Sequence, residues 1–269
     1  MQTITYQALK INKNTQNTIQ DVLVVEAALQ ININAEPYTV VMRTPNNDKE
    51  LIRGLLYAED IYKSDKPLIY KVEKEDHKIP TIINVSITED LLGKGYLNKR
   101  TLLSVSSCGI CGKRELKDIK VDGKKLTAAN IFPIDLVQEM LSKMNSFQHT
   151  FKKSGGSHAA AIFNKNYELI NIREDIGRHN AVDKVIGNLL INESLKQANF
   201  LIVSGRVSYE IVSKAFIARI PVIIAVSACS SLAVDFAKEF GICLIGFTRE
   251  QKMTIYSNPA FIKAKIDYV

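Results

Sequence analysis

The chain has no tryptophan, and only 4 of its 269 residues are cysteine. So few cysteines exclude a small secreted scaffold held by disulfides. Long apolar runs are missing too. The longest charge-free stretch, Ile220 to Val234, is 15 residues, contains Pro221 and is too short to cross a bilayer. The opening residues, MQTITYQALKINKN, lack the apolar centre of a signal peptide. No internal repeat and no low-complexity tract occurs. These absences predict a soluble, cytoplasmic protein with no membrane role. What is present is ordinary for a globular chain: 46% apolar and 23% charged residues, enough for one large domain or two modest ones.

Acidic residues are in deficit, 28 against 35 Lys and Arg, for a net charge of +7. The excess is local. Lys94, Lys99, Arg100, Lys113, Arg114, Lys117, Lys120, Lys124 and Lys125 face only Glu115, Asp118 and Asp122 within the same stretch. Nine bases against three acids leave +6 there and +1 for the rest of the chain. A basic total spread over a surface would suggest nucleic acid. A basic loop around Cys108 and Cys111 suggests an anionic ligand or an acidic partner protein, and no nucleic acid.

The pattern of elements predicts an α/β protein in two parts. Residues 1–105 read as a small α+β domain. DVLVVEAALQINI and EPYTVVMRT form a hairpin about Asn34-Ala35-Glu36-Pro37, and a helix capped near Asn47 or Asp48 carries Leu51, Leu55, Leu56 and Tyr57. Further strands are expected at PLIYKVE, TIINVSI and RTLLSV. Residues 106–130 read as a basic, cysteine-containing linker. Residues 131–269 begin with a helix from Pro133 to Met144 and a strand pair about Asn164-Lys165-Asn166, then alternate helix and strand. Alternation implies a mostly parallel sheet with helices on its faces. Ligands in such sheets bind beyond the carboxyl ends of strands, here at Ser204-Gly205-Arg206, Ser227-Ala228-Cys229-Ser230 and Phe247-Thr248-Arg249.

Ser106-Ser107-Cys108-Gly109-Ile110-Cys111-Gly112-Lys113 is the sharpest local motif. A C-x-x-C pair can be a disulfide switch, half of a zinc site, a thiol carrier or an incidental pair. The glycines leave the sulfurs accessible, and Lys113 and Arg114 favour the thiolate. Zinc requires four ligands in most structural sites, and no second C-x-x-C exists. Cys229 and Cys243 read as small core residues. Arg173-Glu174-Asp175-Ile176-Gly177-Arg178-His179-Asn180-Ala181-Val182-Asp183-Lys184 is a polar helix start suited either to phosphate or to plain capping by Asp175. His179 and Asp183 are spaced to pair on one face. Ser154-Gly155-Gly156-Ser157-His158 is a second polar turn, whose histidine reads as structural. A zinc deaminase would need H-x-E and P-C-x-x-C. His158-Ala159-Ala160 has Ala in place of the Glu, and the turn at Cys229 offers one cysteine, so that chemistry is absent.

SSCGICGK, GGSHAAA, REDIGRHNAVDKVIG, SGRVSYEIVSKA, AVSACSSLAV, LIGFTRE and MRTPNNDKELIRGLLYAED together resemble the FdhD family, the formate dehydrogenase accessory sulfurtransferases, over roughly residues 18 to 265. The resemblance implies a cytidine-deaminase-like, three-layer C-terminal domain without zinc. It implies a carrier that takes persulfide sulfur from a cysteine desulfurase and gives it to the molybdenum bis(molybdopterin guanine dinucleotide) cofactor, bound as a substrate, for the formate dehydrogenase catalytic subunit. It also implies a homodimer. Cys108 maps to the persulfide carrier and Cys111 to a relay. The cofactor-binding stretch maps to Thr248, Arg249, Glu250, Gln251, Lys252 and Met253, although the family often has small or Pro/Gly residues where Glu250 and Gln251 stand. Position and charge add Arg178, His179, Asn180, Ser204 and Arg206 as cofactor contacts. A non-catalytic cofactor chaperone and a dithiol oxidoreductase are the competing readings.

Overall fold

The computed structural model describes residues 2–97, 123–127, 131–249 and 252–263. Cys108, Cys111, the linker motif and the expected strand RTLLSV lie outside them.

The chain starts with a ribbon of β1 (Thr3–Asn12) and β2 (Thr15–Val24), paired without a break from Thr3↔Val24 to Asn12↔Thr15. The run DVLVVEAALQINI, expected as one strand, is divided at Val25-Glu26 between the end of β2 and β3 (Ala27–Ile33). Strand β4 (Glu36–Arg43) follows a two-residue turn. Asn34 and Ala35 have φ of 52° and 69°, the left-handed pair that matches strand twist in a tight hairpin. Helix α1 (Asp48–Ala58) and strands β5 (Ile69–Asp76) and β6 (Ile79–Ser86) complete a four-stranded sheet ordered β4-β3-β6-β5. Period-two burial of Leu29, Ile31 and Ile33 and the buried stripe Leu51, Ile52, Leu55 and Leu56 close one core.

The second part contains β7 (Phe132–Pro133), α2 (Asp135–Ser146), α3 (His149–Ser154), β8 (His158–Phe163), β9 (Leu169–Asp175), α4 (Arg178–Ile191) and β10 (Phe200–Val203). It continues through α5 (Tyr209–Ile217), β11 (Val222–Ala225), α6 (Ser231–Phe240), β12 (Cys243–Arg249), β13 (Lys252–Ser257) and β14 (Ile262–Lys263). Six strands form one sheet ordered β13-β12-β11-β10-β8-β9. Its two faces read directly from strand alternation. Ala160, Ile162, Leu201, Val203, Ile223, Ala225 and Leu244 pack toward α4, α5 and α6. Ala159, Ala161, Phe163, Phe200, Ile202, Val222, Ile224, Cys243 and Ile245 pack toward α2 and Phe132. Helices therefore cover both faces.

The expectation of a mostly parallel sheet is corrected. Only β10–β11 and β11–β12 are parallel, while β8–β9, β8–β10 and β12–β13 are antiparallel. The reason is connection length. For β8–β9 and β12–β13, residues 164–168 and 250–251 are too few for a crossover, so the second strand of each pair reverses on the first. Strand β13, the β1–β2 ribbon and α3 were not anticipated.

The two parts meet through α1 and α4. A Cβ at Gly54 would lie 2.0 Å from the Asp183 carbonyl oxygen, and one at Gly187 would lie 1.8 Å from that of Glu50. Only hydrogen fits at either point. Helix α4 is thus covered by the sheet on one side and α1 on the other, and residues His179 to Asn188 are all buried despite five polar side chains. Among the described residues, no helix is long and apolar enough to cross a membrane.

Candidate functional site

Strand direction brings five segments to one edge of the six-stranded sheet. The carboxyl ends of β10, β11 and β12 lie there because these strands are parallel. β8 runs the other way, so its first residue, His158, joins them, and β9 returns Asp175 opposite His158. The loops at 204–208 and 226–230 touch through a parallel bridge between Val207 and Cys229.

Arg178 and Arg206 make this edge cationic, and His158 lies beside them. A Cβ at Gly205 would lie 3.1 Å from His158 Nδ1 and 3.4 Å from Arg178 Cβ, so the loop passes close over both side chains. Burial, then the charges of Arg178 and Arg206, hold His158 below the usual histidine pKa, with Asp175 opposing in part. The imidazole is therefore neutral near pH 7. The buried Nε of Arg178 has no hydrogen-bond partner among the described residues, whereas Arg206 is exposed. A guanidinium whose buried N–H lacks an acceptor is suited to an anionic oxygen.

Asp175 organises what lies beneath. Its Oδ1 accepts from Gly177 N at 2.8 Å and Asn180 Nδ2 at 3.0 Å, and its Oδ2 from Thr44 N at 3.1 Å. Lys184, fully buried, donates to Asp175 Oδ2 and to the Thr44 carbonyl, each at 2.7 Å. Asn180 also reaches the Met42 carbonyl at 2.8 Å. This network sets the start of α4, and with it Arg178, against the end of β4.

The expected cofactor contacts divide into two groups. Arg178, Arg206, Arg249 and Lys252 are half-buried or exposed and carry charge at or near the edge. The side chains of His179, Asn180, Ser204 and Thr248 are engaged within the scaffold. His179 Nε2 lies 3.0 Å from Ser208 Oγ and 3.1 Å from Glu210 Oε2. Ser204 Oγ accepts from Ala159 N at 2.9 Å, and Thr248 Oγ1 donates to the Ala225 carbonyl at 2.8 Å. Asp183 binds Lys214 at 2.5 Å. Met253 is half-buried against the α2-side core. Glu250 and Gln251 lie outside the described residues. Sequence reasoning placed His158 as a structural residue and passed over Ser208 and Glu210. The signal for all three was proximity, through strand order, to residues already chosen.

Cys243 is buried, as expected of a core residue; Cys229 is half-buried against Gly246 and Tyr256. Burial pushes both thiols up to about 12.

The FdhD/NarQ family model matches residues 24–263. Sulfur carrier protein FdhD of Streptomyces coelicolor is 36% identical over 261 residues, covering 93% of this chain and 92% of that protein. The protein of the same name from Sulfolobus acidocaldarius is 39% identical over 251 residues, covering 93% and 94%. A crystal structure described as a formate dehydrogenase accessory protein, from Desulfotalea psychrophila, superimposes with a TM-score of 0.74 over 98% of this chain and 100% of its own, at 20% identity. The chain belongs to the FdhD/NarQ family.

Proposed function

We propose that this protein is a sulfur carrier that supports formate dehydrogenase maturation. It takes sulfur from a cysteine desulfurase and passes it to the molybdenum bis(molybdopterin guanine dinucleotide) cofactor, bound as substrate. The names of its relatives support the sulfur-carrier role. The observation that carries the dinucleotide reading is the cationic edge, with the buried Nε of Arg178, which has no partner among the described residues, and with Arg206 and a neutral His158. A pyrophosphate is the ligand such an edge accommodates.

In this reading Cys108 attacks the outer sulfur of the donor's persulfide. The new bond is between Cys108 Sγ and that sulfur, and the donor leaves as its thiolate. The basic residues around Cys108 stabilise the attacking thiolate and draw in the donor. Cys111 is the second thiol of the relay. Arg178 and Arg206 hold phosphate oxygens, and Arg249 and Lys252 add charge along the same edge. The protein works in the cytoplasm as a homodimer.

Incubation with a cysteine desulfurase and cysteine tests the carrier step. Mass spectrometry should find one added sulfur on Cys108, and Cys108→Ala should abolish formate dehydrogenase maturation. Full maturation by Cys108→Ala would exclude the carrier role and favour a chaperone that only escorts the cofactor.

A further inference from the structure

Two consecutive strand–loop–helix units carry a serine at the helix N-cap, and the two serines behave differently. Ser230 Oγ accepts from Ala233 N at 3.2 Å and caps α6. Ser208, at the corresponding place before α5, makes no capping bond. Its hydroxyl is turned to His179 Nε2. The same nitrogen lies 3.1 Å from Glu210 Oε2, so both neighbours share one ring atom.

That geometry differs from a nucleophile–histidine–carboxylate relay, in which serine and acid sit on opposite ring nitrogens. The carboxylate oxygen beside Nε2 favours the ring hydrogen on that nitrogen, which then points to Ser208 Oγ. Ser208 Oγ is then an acceptor toward His179, and its own hydrogen is directed away. Ser208 is half-buried, two residues beyond Arg206 in the loop that passes over His158 and Arg178.

Resting on the dinucleotide reading above, we infer that Ser208 is a phosphate-binding residue, its hydroxyl donating to a phosphoryl oxygen, and that His179 with Glu210 is the pair that positions it. His179 thus acts beneath the ligand.

Guanosine diphosphate and guanosine, titrated calorimetrically into the full chain, separate the possibilities. Ser208→Ala should weaken guanosine diphosphate by about tenfold, the loss of one hydrogen bond to a charged group, and leave guanosine unchanged. Ser208→Thr should restore the diphosphate affinity. Glu210→Gln keeps the shape but lets Nε2 accept, turning the Ser208 hydrogen inward. It should lose diphosphate affinity by a similar factor, with no further loss in the double variant. Equal weakening of both ligands, or diphosphate affinity within about twofold of wild type in Ser208→Ala, overturns the assignment. If the unaltered protein binds neither ligand, it is the dinucleotide reading that fails, and the Ser208 assignment with it.

Discussion

Lys184 Nζ lies 2.7 Å from Asp175 Oδ2, and neither side chain has any exposure. Each charge depends on the other for its burial. Lys184→Met would leave Asp175 with amide donors but no countercharge, at a cost of about 3–5 kcal/mol. Urea unfolding should show that loss. Because Asp175 also fixes Gly177 and Asn180, guanosine diphosphate affinity should fall in protein that remains folded. A stability change under about 1 kcal/mol would contradict the role given to this pair.

The approach of α1 to α4 makes a sharper prediction. Gly54→Ala and Gly187→Ala each place a methyl against a backbone carbonyl, which cannot swing aside. Each should destabilise by at least about 3 kcal/mol, lowering Tm by roughly 6–12 °C. Calorimetry that finds either variant within about 2 °C of wild type would disprove the contact.

His158 carries the pH dependence. Its folded pKa is held below the unfolded value by burial and by Arg178 and Arg206. The unfolded chain therefore binds the proton first as pH falls below about 6.5. Its contribution to stability is complete above that pH and is lost as pH drops toward the folded pKa. Arg206→Gln removes one opposing charge and should raise the His158 midpoint, and an anion at the edge should do the same. NMR titration of the ring measures both shifts. A midpoint that ignores Arg206→Gln and added guanosine diphosphate would place the ligand elsewhere.

Thiol reactivity should divide the four cysteines. Burial pushes Cys229 and Cys243 up to about 12, so alkylation of native protein at about pH 8 should spare them. Cys108 and Cys111, flanked by Lys113 and Arg114, should react first. Peptide mapping after brief iodoacetamide treatment decides this. Early labelling of Cys243 would contradict its burial.

The basic cluster predicts a salt-sensitive step. Replacing Lys113, Arg114 and Lys117 by Gln should slow sulfur loading of Cys108 at low ionic strength and flatten its salt dependence. Unchanged loading rates would reduce the cluster to solvated surface.

Period and punctuation made much of this fold readable in advance. The alternation of helix and strand expected in the second part is found as α4, β10, α5, β11, α6 and β12, because apolar runs there have clear ends. Strand direction was readable only in part: the short link about Asn164 gave β8 and β9 as a pair, but the placing of β8 antiparallel beside β10 is a long-range pairing that no local pattern carries. The β1–β2 ribbon escaped notice because most of its residues are exposed and it lacks a buried face to impose alternation. At the site, charge type pointed to Arg178 and Arg206, which the structure brings to His158. It could not separate His179, whose ring faces Ser208 and Glu210, from His158, which stands among the arginines. That distinction depends on which strand lies beside β10, a long-range fact.

Phe132–Pro133 and Ile262–Lys263 pair in parallel, joining the beginning and the end of the second part. The stretch between them is a closed circuit, and β13 returns the chain to its far end, away from the carboxyl ends of β10, β11 and β12. Phe261, just before the junction, is also part of the α2-side core. Trimming the chain back to Asn258 is consequently no removal of a tail. It opens the circuit and uncovers Phe132, so the shortened protein should behave like one with a core mutation.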